Sequence, residues 1–334
     1  MFRKLPGIGL DIGSQKIKMI RVAHKRSQLE LIRYGSTPTP AGTIKGGIIV
    51  DPEGLGAEIR YLVKDLKLSG QRTVSALGGQ QIFMRNICIP NVKAGELDDA
   101  IWYQAMHLLP IPVEEAVMDH YVVRQVDTAQ GRNTEILLVA VGKNQVENIK
   151  LACHIAGLKL AVLEVEPQAL FRMVGDAASV TAILNVGWTR SYVFIFKRGV
   201  PVFFRAISVG SSVGANLSES YPASIVDAGA VQTTIQMKSK QNGPEYLVSE
   251  VKAAVEYYQA SQNGLEDNIQ KIWVNGGSRL RDLANRLVRA TGCEVEAVGI
   301  GKRLRLSADI NQRVRQELQQ DFLIALGLAA REVY

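Results

Sequence analysis

The chain has 334 residues, of which 47% are apolar and 21% charged, and its formal net charge is +7 at neutral pH. This composition excludes a disordered chain, and the length is enough for two lobes with separate hydrophobic cores. We find no apolar run that could span a membrane and no secretory leader, so we expect a soluble, cytoplasmic protein. The three cysteines, Cys88, Cys153 and Cys293, have apolar neighbours, and we expect buried thiols rather than disulfides.

The first element is a strand that ends in an acid and a glycine turn. The segment Ile8–Ile12 predicts a buried strand with Asp11 near its end, and a second strand begins at Lys16. A glycine turn lets backbone N–H groups approach an anion, and a carboxylate can hold the waters of a hydrated Mg²⁺. The hairpin therefore suits a metal-bound polyphosphate, and an ordinary hairpin with a surface acid is the alternative. The phosphate-binding candidates here are Gly13, Ser14, Gln15 and Lys18.

The same pattern occurs a second time, about 174 positions later. A strand reaches Asn185, a turn follows at Gly187, and the chain returns from Ser191. A repeated unit of this size is typical of one ancestral element used twice. We expect Gly187 and Thr189 to form an opposing phosphate turn, with Asn185 near the metal.

Between the two hairpins, a helix is predicted from Asp51-Pro52 to about Leu68. The pattern then predicts a small α+β unit over residues 74–160, inserted before a strand at 158–166. Glu166 falls where this strand meets the next helix. It is a candidate catalytic acid or base, or simply an acid placed favourably at a helix N-terminus.

The sequence does not support four other functional classes: α/β-hydrolases, P-loop proteins, dinucleotide-binding proteins and nucleic-acid-binding proteins. Gly210-Ser211-Ser212-Val213-Gly214 matches the nucleophile elbow of α/β-hydrolases, but no histidine follows His154. The P-loop and dinucleotide-binding glycine patterns are absent. Arginines on the helix 279–291 have no interleaved aromatic residues, so we expect no nucleic-acid site.

A further glycine-rich turn, Asn275-Gly276-Gly277-Ser278, follows a predicted strand over 269–274 and precedes the last predicted strand at about 293–298. Glycines at a strand-to-helix turn allow a flat ring to lie against the backbone. Glu250, on a preceding amphipathic helix over 247–262, either takes part in this site or remains on the surface. The chain then ends in a helix of small residues, 322–330, that is suited to close packing.

Taken in order, these motifs resemble the actin-like ATPase superfamily. The segments that carry the resemblance are Leu10–Ser14 and Leu184–Gly187 as the two phosphate motifs, Asn275–Ser278 as the adenosine motif, and Glu166–Leu170 and Ala325–Ala329 as the two connecting helices. The resemblance implies an α/β, two-lobed fold with a duplicated ribonuclease-H-like core and an inserted α+β subdomain of the 1C type. Subdomain 1A would cover 1–73 with 161–180 and 321–334, subdomain 1C would cover 74–160, and the second lobe would cover 181–320 with subdomain 2B at about 211–268. It also implies ATP and Mg²⁺ between the lobes, with Gly276, Gly277, Ser278 and Glu250 on the adenosine side and Asp11 and Asn185 on the metal.

Within the superfamily, the chain is similar to the PilM family of type IV pilus assembly proteins. Asn86–Pro90, Glu96–Ile101, Val165–Arg172 and Gly327–Arg331 carry this similarity. It implies docking of the cytoplasmic N-terminal tail of a PilN-like membrane protein and a link to the pilus motor ATPases or the platform protein. The protein would then lie at the inner face of the cytoplasmic membrane through its partners, and it could self-associate.

One departure from the family pattern bears on activity. The second phosphate motif usually carries Asp where this chain has Asn185, and Trp188 follows the glycine in place of a small residue. Asn supplies no negative charge and aids an attacking water poorly, so we expect ATP binding with slow or absent hydrolysis. An FtsA-like membrane-associated or polymerising protein is the alternative, and it would carry a C-terminal amphipathic anchor that we do not find before Tyr334.

Overall fold

A computed structural model gives the fold. It describes residues 7–25, 28–78, 82–90, 92, 94–128, 131–174, 180–211, 243–260, 268–276, 280–300, 304–306 and 310–331.

The first elements are β1 (Gly7–Ile12), β2 (Lys16–Lys25), β3 (Gln28–Pro38), β4 (Ile44–Lys45), β5 (Ile48–Ile49), α1 (Pro52–Asp65) and β6 (Arg72–Leu77). The middle elements are β7 (Phe83–Pro90), α2 (Leu97–Leu108), β8 (Ala116–Thr128), β9 (Gly131–Gly142), α3 (Lys143–Ile155) and β10 (Lys159–Val165). The last are α4 (Glu166–Val174), β11 (Val180–Val186), β12 (Ser191–Lys197), β13 (Val200–Ile207), α5 (Pro244–Ala260), β14 (Lys271–Asn275), α6 (Leu280–Thr291), β15 (Glu294–Ala297), β16 (Leu304–Arg305), α7 (Gln312–Asp321) and α8 (Leu323–Ala329).

Two mixed sheets built on the same plan form the two lobes. The first has the order β10-β6-β1-β2-β3-β16, and the second has the order β13-β12-β11-β14-β15. In each, an antiparallel three-strand meander is followed by strands parallel to its first strand. The predicted duplication and the two-lobed α/β class are therefore confirmed.

Each lobe buries one face of its sheet under two helices. In the first lobe, α1 and α3 cover β1 and β2, and Leu10, Ile17, Met19 and Ile59 are fully buried there. In the second lobe, α5 and α6 cover β11 and β14. Ile17 and Met19 point into this core while Lys16 and Lys18 point the other way, because successive strand residues face opposite sides of the sheet.

A third, three-stranded sheet in the order β7-β9-β8 forms the inserted subdomain together with α2. The interval predicted for it, 74–160, also contains β6 and α3, which pack in the first lobe. We therefore propose narrower bounds of 83–142. The interval predicted for the second lobe, 181–320, contains β16, which pairs with β3 of the first sheet. Most of the predicted subdomain 2B, residues 212–242 and 261–267, lies outside the described residues.

Two of the three cysteines lie where the sequence predicts. Cys153 and Cys293 are buried, and burial raises the pKa of the Cys153 thiol to about 12. Cys88 is exposed, which corrects the expectation of a buried thiol. Its strand, β7, is an edge strand in which Ile87 and Ile89 face the core and Cys88 faces outward. In the part of the chain that the structure describes, no helix has both the length and the apolar character needed to cross a bilayer.

Candidate functional site

A cleft of about 770 Å³ lies between the lobes and is lined by both hairpin turns. One wall is the β1–β2 turn with Asp11, Gly13, Ser14, Gln15 and Lys18. The opposite wall is the β11–β12 turn with Asn185, Gly187 and Thr189, and Glu166 and Gly276 complete the lining. The structure thus brings together predicted residues that lie more than 250 positions apart. The cleft is at the carboxyl ends of β1, β11 and β14, where α/β sheets commonly bind ligands.

The two turns have the same internal geometry. The Gly13 N–H donates to the Lys16 carbonyl oxygen at 3.1 Å, and the Gly187 N–H donates to the Arg190 carbonyl oxygen at 2.9 Å. A Cβ on either glycine would lie within 3 Å of that same oxygen, at 2.9 Å for Gly13 and 2.8 Å for Gly187. Both positions therefore require glycine, and both leave bare backbone facing the cleft.

A buried ion pair lies beneath the first turn. The Lys18 ammonium nitrogen is 2.9 Å from Asp11 Oδ2, and the two side chains are 18% and 11% exposed. Burial by itself would lower the pKa of Lys18, but the charge of Asp11, with smaller contributions from Asp321 and Glu166, raises it instead. Lys18 is therefore a fixed positive charge in the cleft, and Asp11 is held at the strand end.

Three other polar side chains of the cleft lining form a hydrogen-bonded chain. Asn275 Nδ2 donates to Asn185 Oδ1 at 2.8 Å, and Asn185 Nδ2 donates to the Glu166 carboxyl group. Asn185 and Asn275 are neighbours because β11 and β14 pair in parallel with these two residues in register. The amide of Asn185 thus faces a carboxyl group, a position in which an Asp side chain would bring two acids together.

Glu166 has a strongly perturbed acidity. Burial and the nearby charge of Asp11 raise its pKa to about 8, while Lys18 and the Asn185 hydrogen bond offset part of the rise. At neutral pH the group is therefore mostly the neutral acid. Burial and the Glu166 carboxyl group also raise the pKa of Tyr192, which lines the same cleft, well above its usual value.

The adenosine-side predictions have different outcomes in the structure. Gly276 lines the cleft with a φ of 122°, and a Cβ there would lie 2.2 Å from the Val186 carbonyl oxygen. Gly277 and Ser278 lie outside the described residues. Glu250 is not part of the cleft lining; its carboxylate pairs with Arg205 of β13, with Nη2 and Oε2 2.6 Å apart.

The cleft also contains residues that the sequence analysis did not select. Asn275 was part of the glycine-rich motif but was given no role, although its place at a strand end next to Asn185 could have identified it. Asp321 reaches the first turn through Lys16, with Nζ and Oδ2 3.2 Å apart. Gly46 and Gly47 belong to a short ribbon that is not among the predicted elements, although Ile-Lys-Gly-Gly-Ile-Ile is a typical hairpin pattern.

Comparison with known proteins identifies the family. The family model described as type IV pilus assembly protein PilM matches residues 9–333. The chain belongs to the PilM family. Among solved structures, it is similar to a PilM-PilN type IV pilus biogenesis complex, with a TM-score of 0.77 and 20% identity over 98% of both chains. This similarity shows that this chain shares the fold of that PilM chain.

Two further solved structures resemble this PilM-family chain at a lower level. The ethanolamine utilization protein EutJ from Carboxydothermus hydrogenoformans has a TM-score of 0.49 and 12% identity, over 98% of this chain and 90% of EutJ. The cytoplasmic domain of EpsL, an inner membrane component of the type II secretion system of Vibrio cholerae, has a TM-score of 0.49 and 10% identity, over 98% and 97%.

Proposed function

We propose that this PilM-family protein binds ATP with Mg²⁺ in the cleft between its lobes and hydrolyses it slowly or not at all. The observation that carries the proposal is the pair of matched glycine turns facing one cleft, with the buried Lys18–Asp11 pair beneath them. Backbone N–H groups and a fixed cation are the groups that bind a polyphosphate. The donor set therefore fits a nucleotide phosphate chain.

The predicted residues that line the cleft have roles consistent with their positions. Lys18 and the turns at Gly13–Gln15 and Gly187–Thr189 would contact phosphates, and Gly276 would lie under the adenosine. Asp11, and more weakly Asn185, would hold waters of a Mg²⁺ ion, since Mg²⁺ is usually bound through one or two carboxylates plus phosphate oxygens. When bound, the metal would neutralise phosphate charge.

The states of Glu166 and Asn185 support slow hydrolysis. A general base must be deprotonated at working pH, whereas burial and the charge of Asp11 favour the protonated form of Glu166 when no Mg²⁺ is bound. Asn185 carries no charge, and its amide is already engaged by Glu166 and Asn275. The chain thus holds the nucleotide without a strong base to activate water.

The partner proposal rests on the family. The solved PilM structure is described as a complex with PilN, and we propose that this chain docks the cytoplasmic tail of a PilN-type membrane protein. It would then lie at the inner face of the cytoplasmic membrane and link that protein to the pilus motor ATPases or the platform protein. Self-association would add a further contact between copies.

Calorimetric titration with ATP, with Mg²⁺ and with EDTA, tests the nucleotide proposal. We expect Mg²⁺-dependent binding by the wild type and at least ten-fold weaker binding by Asp11→Asn, because the amide removes the charge that holds the hydrated ion. Turnover of ATP should stay well below about one per second.

Glu147→Gln is the matched control, since it makes the same change at an exposed carboxylate of α3 that pairs only with Lys150 among its described contacts. It should bind ATP as the wild type does. Absence of ATP binding by the wild type would contradict the nucleotide proposal, and turnover at or above one per second would contradict its hydrolysis part.

A further inference from the structure

A short ribbon reaches the cleft from the first lobe and is not one of the two phosphate turns. Its strands β4 and β5 pair antiparallel, with Ile44 opposite Ile49 and Lys45 opposite Ile48. The connecting residues Gly46 and Gly47 have φ of 58° and 85°, as a two-residue type I′ turn requires. Both glycines line the cleft, so the tip presents backbone without side chains to whatever the cleft holds.

The segment that leads into the ribbon is hydrogen-bonded to the first phosphate turn. The Thr39 N–H donates to the Gln15 carbonyl oxygen at 2.9 Å, and the Thr39 hydroxyl donates to the Gly13 carbonyl oxygen at 2.6 Å. Thr43, only 3% exposed, accepts from the Val50 N–H through its carbonyl oxygen at 2.9 Å and closes the base of the ribbon. The ribbon and the phosphate turn therefore share a common support.

The second strand of the ribbon is held by α3 at Ile49, which lies opposite Ile44 and next to the base. Asn148 Nδ2 donates to the Ile49 carbonyl oxygen at 2.8 Å, and the Ile49 N–H donates to Gln145 Oε1 at 3.3 Å. Gln145 is 5% exposed, so both backbone groups of Ile49 are satisfied by amides inside the protein. α3 itself directly follows β9, a strand of the inserted subdomain.

We infer that the Gly46–Gly47 tip is a third ligand-contacting wall of the nucleotide cleft, positioned by Asn148 and Gln145 of α3. The inference rests on the proposed function, because the ligand is the nucleotide. The tip lies outside the phosphate and adenosine motifs, so its contacts with the ligand are additional to those of the proposed function. The inference also makes α3 a direct mechanical link between the cleft and the inserted subdomain, since a shift of α3 moves the ribbon.

Hydrogen exchange and calorimetry with Mg²⁺-ATP test the inference on the full chain. Saturating Mg²⁺-ATP should slow amide exchange in residues 44–49 of the wild type. Asn148→Asp replaces the donor to the Ile49 carbonyl with an oxygen of the same shape, so we expect at least five-fold weaker ATP binding and loss of that protection. The exposed neighbour variant Glu147→Gln should behave as the wild type, and all three proteins should melt within a few degrees of one another.

The outcomes separate this inference from the proposal beneath it. If the wild type binds ATP but residues 44–49 gain no protection, the tip does not contact the ligand and the inference is wrong. If protection occurs but Asn148→Asp binds ATP as tightly as the wild type, the assignment of α3 as the positioning element is overturned. If the wild type does not bind ATP, both the proposed function and this inference are wrong.

Discussion

Glu166 is a buried carboxylic acid whose hydrogen-bond partner is the amide of Asn185. Both its burial and the charge of Asp11 favour the protonated form. A neutral acid donates and accepts hydrogen bonds in a low-dielectric site without the cost of a buried charge. At the residue scale, the uncharged Asn185 thus has a neighbour that favours its own uncharged form.

Because the pKa of Glu166 is raised, the stability of the folded protein should fall as the pH rises. The pKa of Glu166 is raised from its ordinary value of 4.5 to about 8 in the folded state. Between these values the folded protein keeps a proton that the unfolded chain releases, so stability falls as pH rises from about 4.5 and the loss is complete above about 8. Glu166→Gln is neutral at every pH and removes this loss. In EDTA, we expect the variant and the wild type to melt within a degree or two of each other at pH 5, and the variant to melt at least about 3 °C higher at pH 9.

Glu147→Gln again serves as the control, because an exposed acid should show the same small difference from the wild type at both pH values. Thermal melts followed by circular dichroism at pH 5, 7 and 9 provide the comparison. A Glu166→Gln variant that melts below the wild type at pH 9 would show that the carboxylate is stabilised as an anion, contrary to our account.

At the scale of elements, the small-residue helix α8 packs at close range against two partners. A Cβ on Gly9 of β1 would lie 1.9 Å from the Ala325 carbonyl oxygen, and a Cβ on Gly327 would lie 2.1 Å from the Ala169 carbonyl oxygen of α4. The predicted close packing of the last helix is therefore confirmed. In both cases the obstacle is backbone, which cannot rotate away as a side chain can.

Gly327→Ala should consequently destabilise the fold by about 3 kcal/mol, as overpacking of a tight core does. The free energy of unfolding from urea titration measures it. Gly95→Ala is the matched control, since a Cβ at Gly95 meets nothing within 4 Å, and its effect should stay within about 0.5 kcal/mol. Equal effects of the two substitutions would mean that α4 and α8 separate easily, which their packing does not support.

The elements themselves were largely predictable, because their patterns are local. The two meanders follow from period-two alternation and glycine turns, and α1 follows from the Asp51 cap, whose carboxylate accepts from the Gly54 N–H at 2.8 Å. The site residues at strand ends could also be predicted, since parallel strands end at a common edge. What the sequence could not supply was contact between distant segments, such as Glu250 with Arg205 or Asn148 with Ile49. The exposure of Cys88 likewise depends on an edge position that its apolar neighbours do not reveal.

At the scale of the whole molecule, a buried acid joins segments from the middle and the end of the chain. Glu164 of β10, with its side chain 5% exposed, receives two hydrogen bonds of 2.9 Å from the Arg172 guanidinium of α4. Arg331, just beyond α8, also donates to Glu164, and Arg172 donates to the Gly327 carbonyl oxygen. One carboxylate thus links the first-lobe sheet to α4 and to the residue that follows α8.

Removing the charge of Glu164 should destabilise the folded protein, because two guanidinium groups would lose their anion. Breaking a buried pair by neutralising one partner typically costs about 3–5 kcal/mol, and the partial exposure of both arginines reduces the expected loss for Glu164→Gln to about 2–3 kcal/mol. The urea midpoint should fall, and amide exchange in α8 should accelerate more than exchange in the second-lobe helices α5 and α6. Glu147→Gln, which neutralises an exposed pair, should leave both quantities unchanged. If exchange instead accelerated equally in all helices, Glu164 would contribute to global stability without specifically holding α4 and α8 in place.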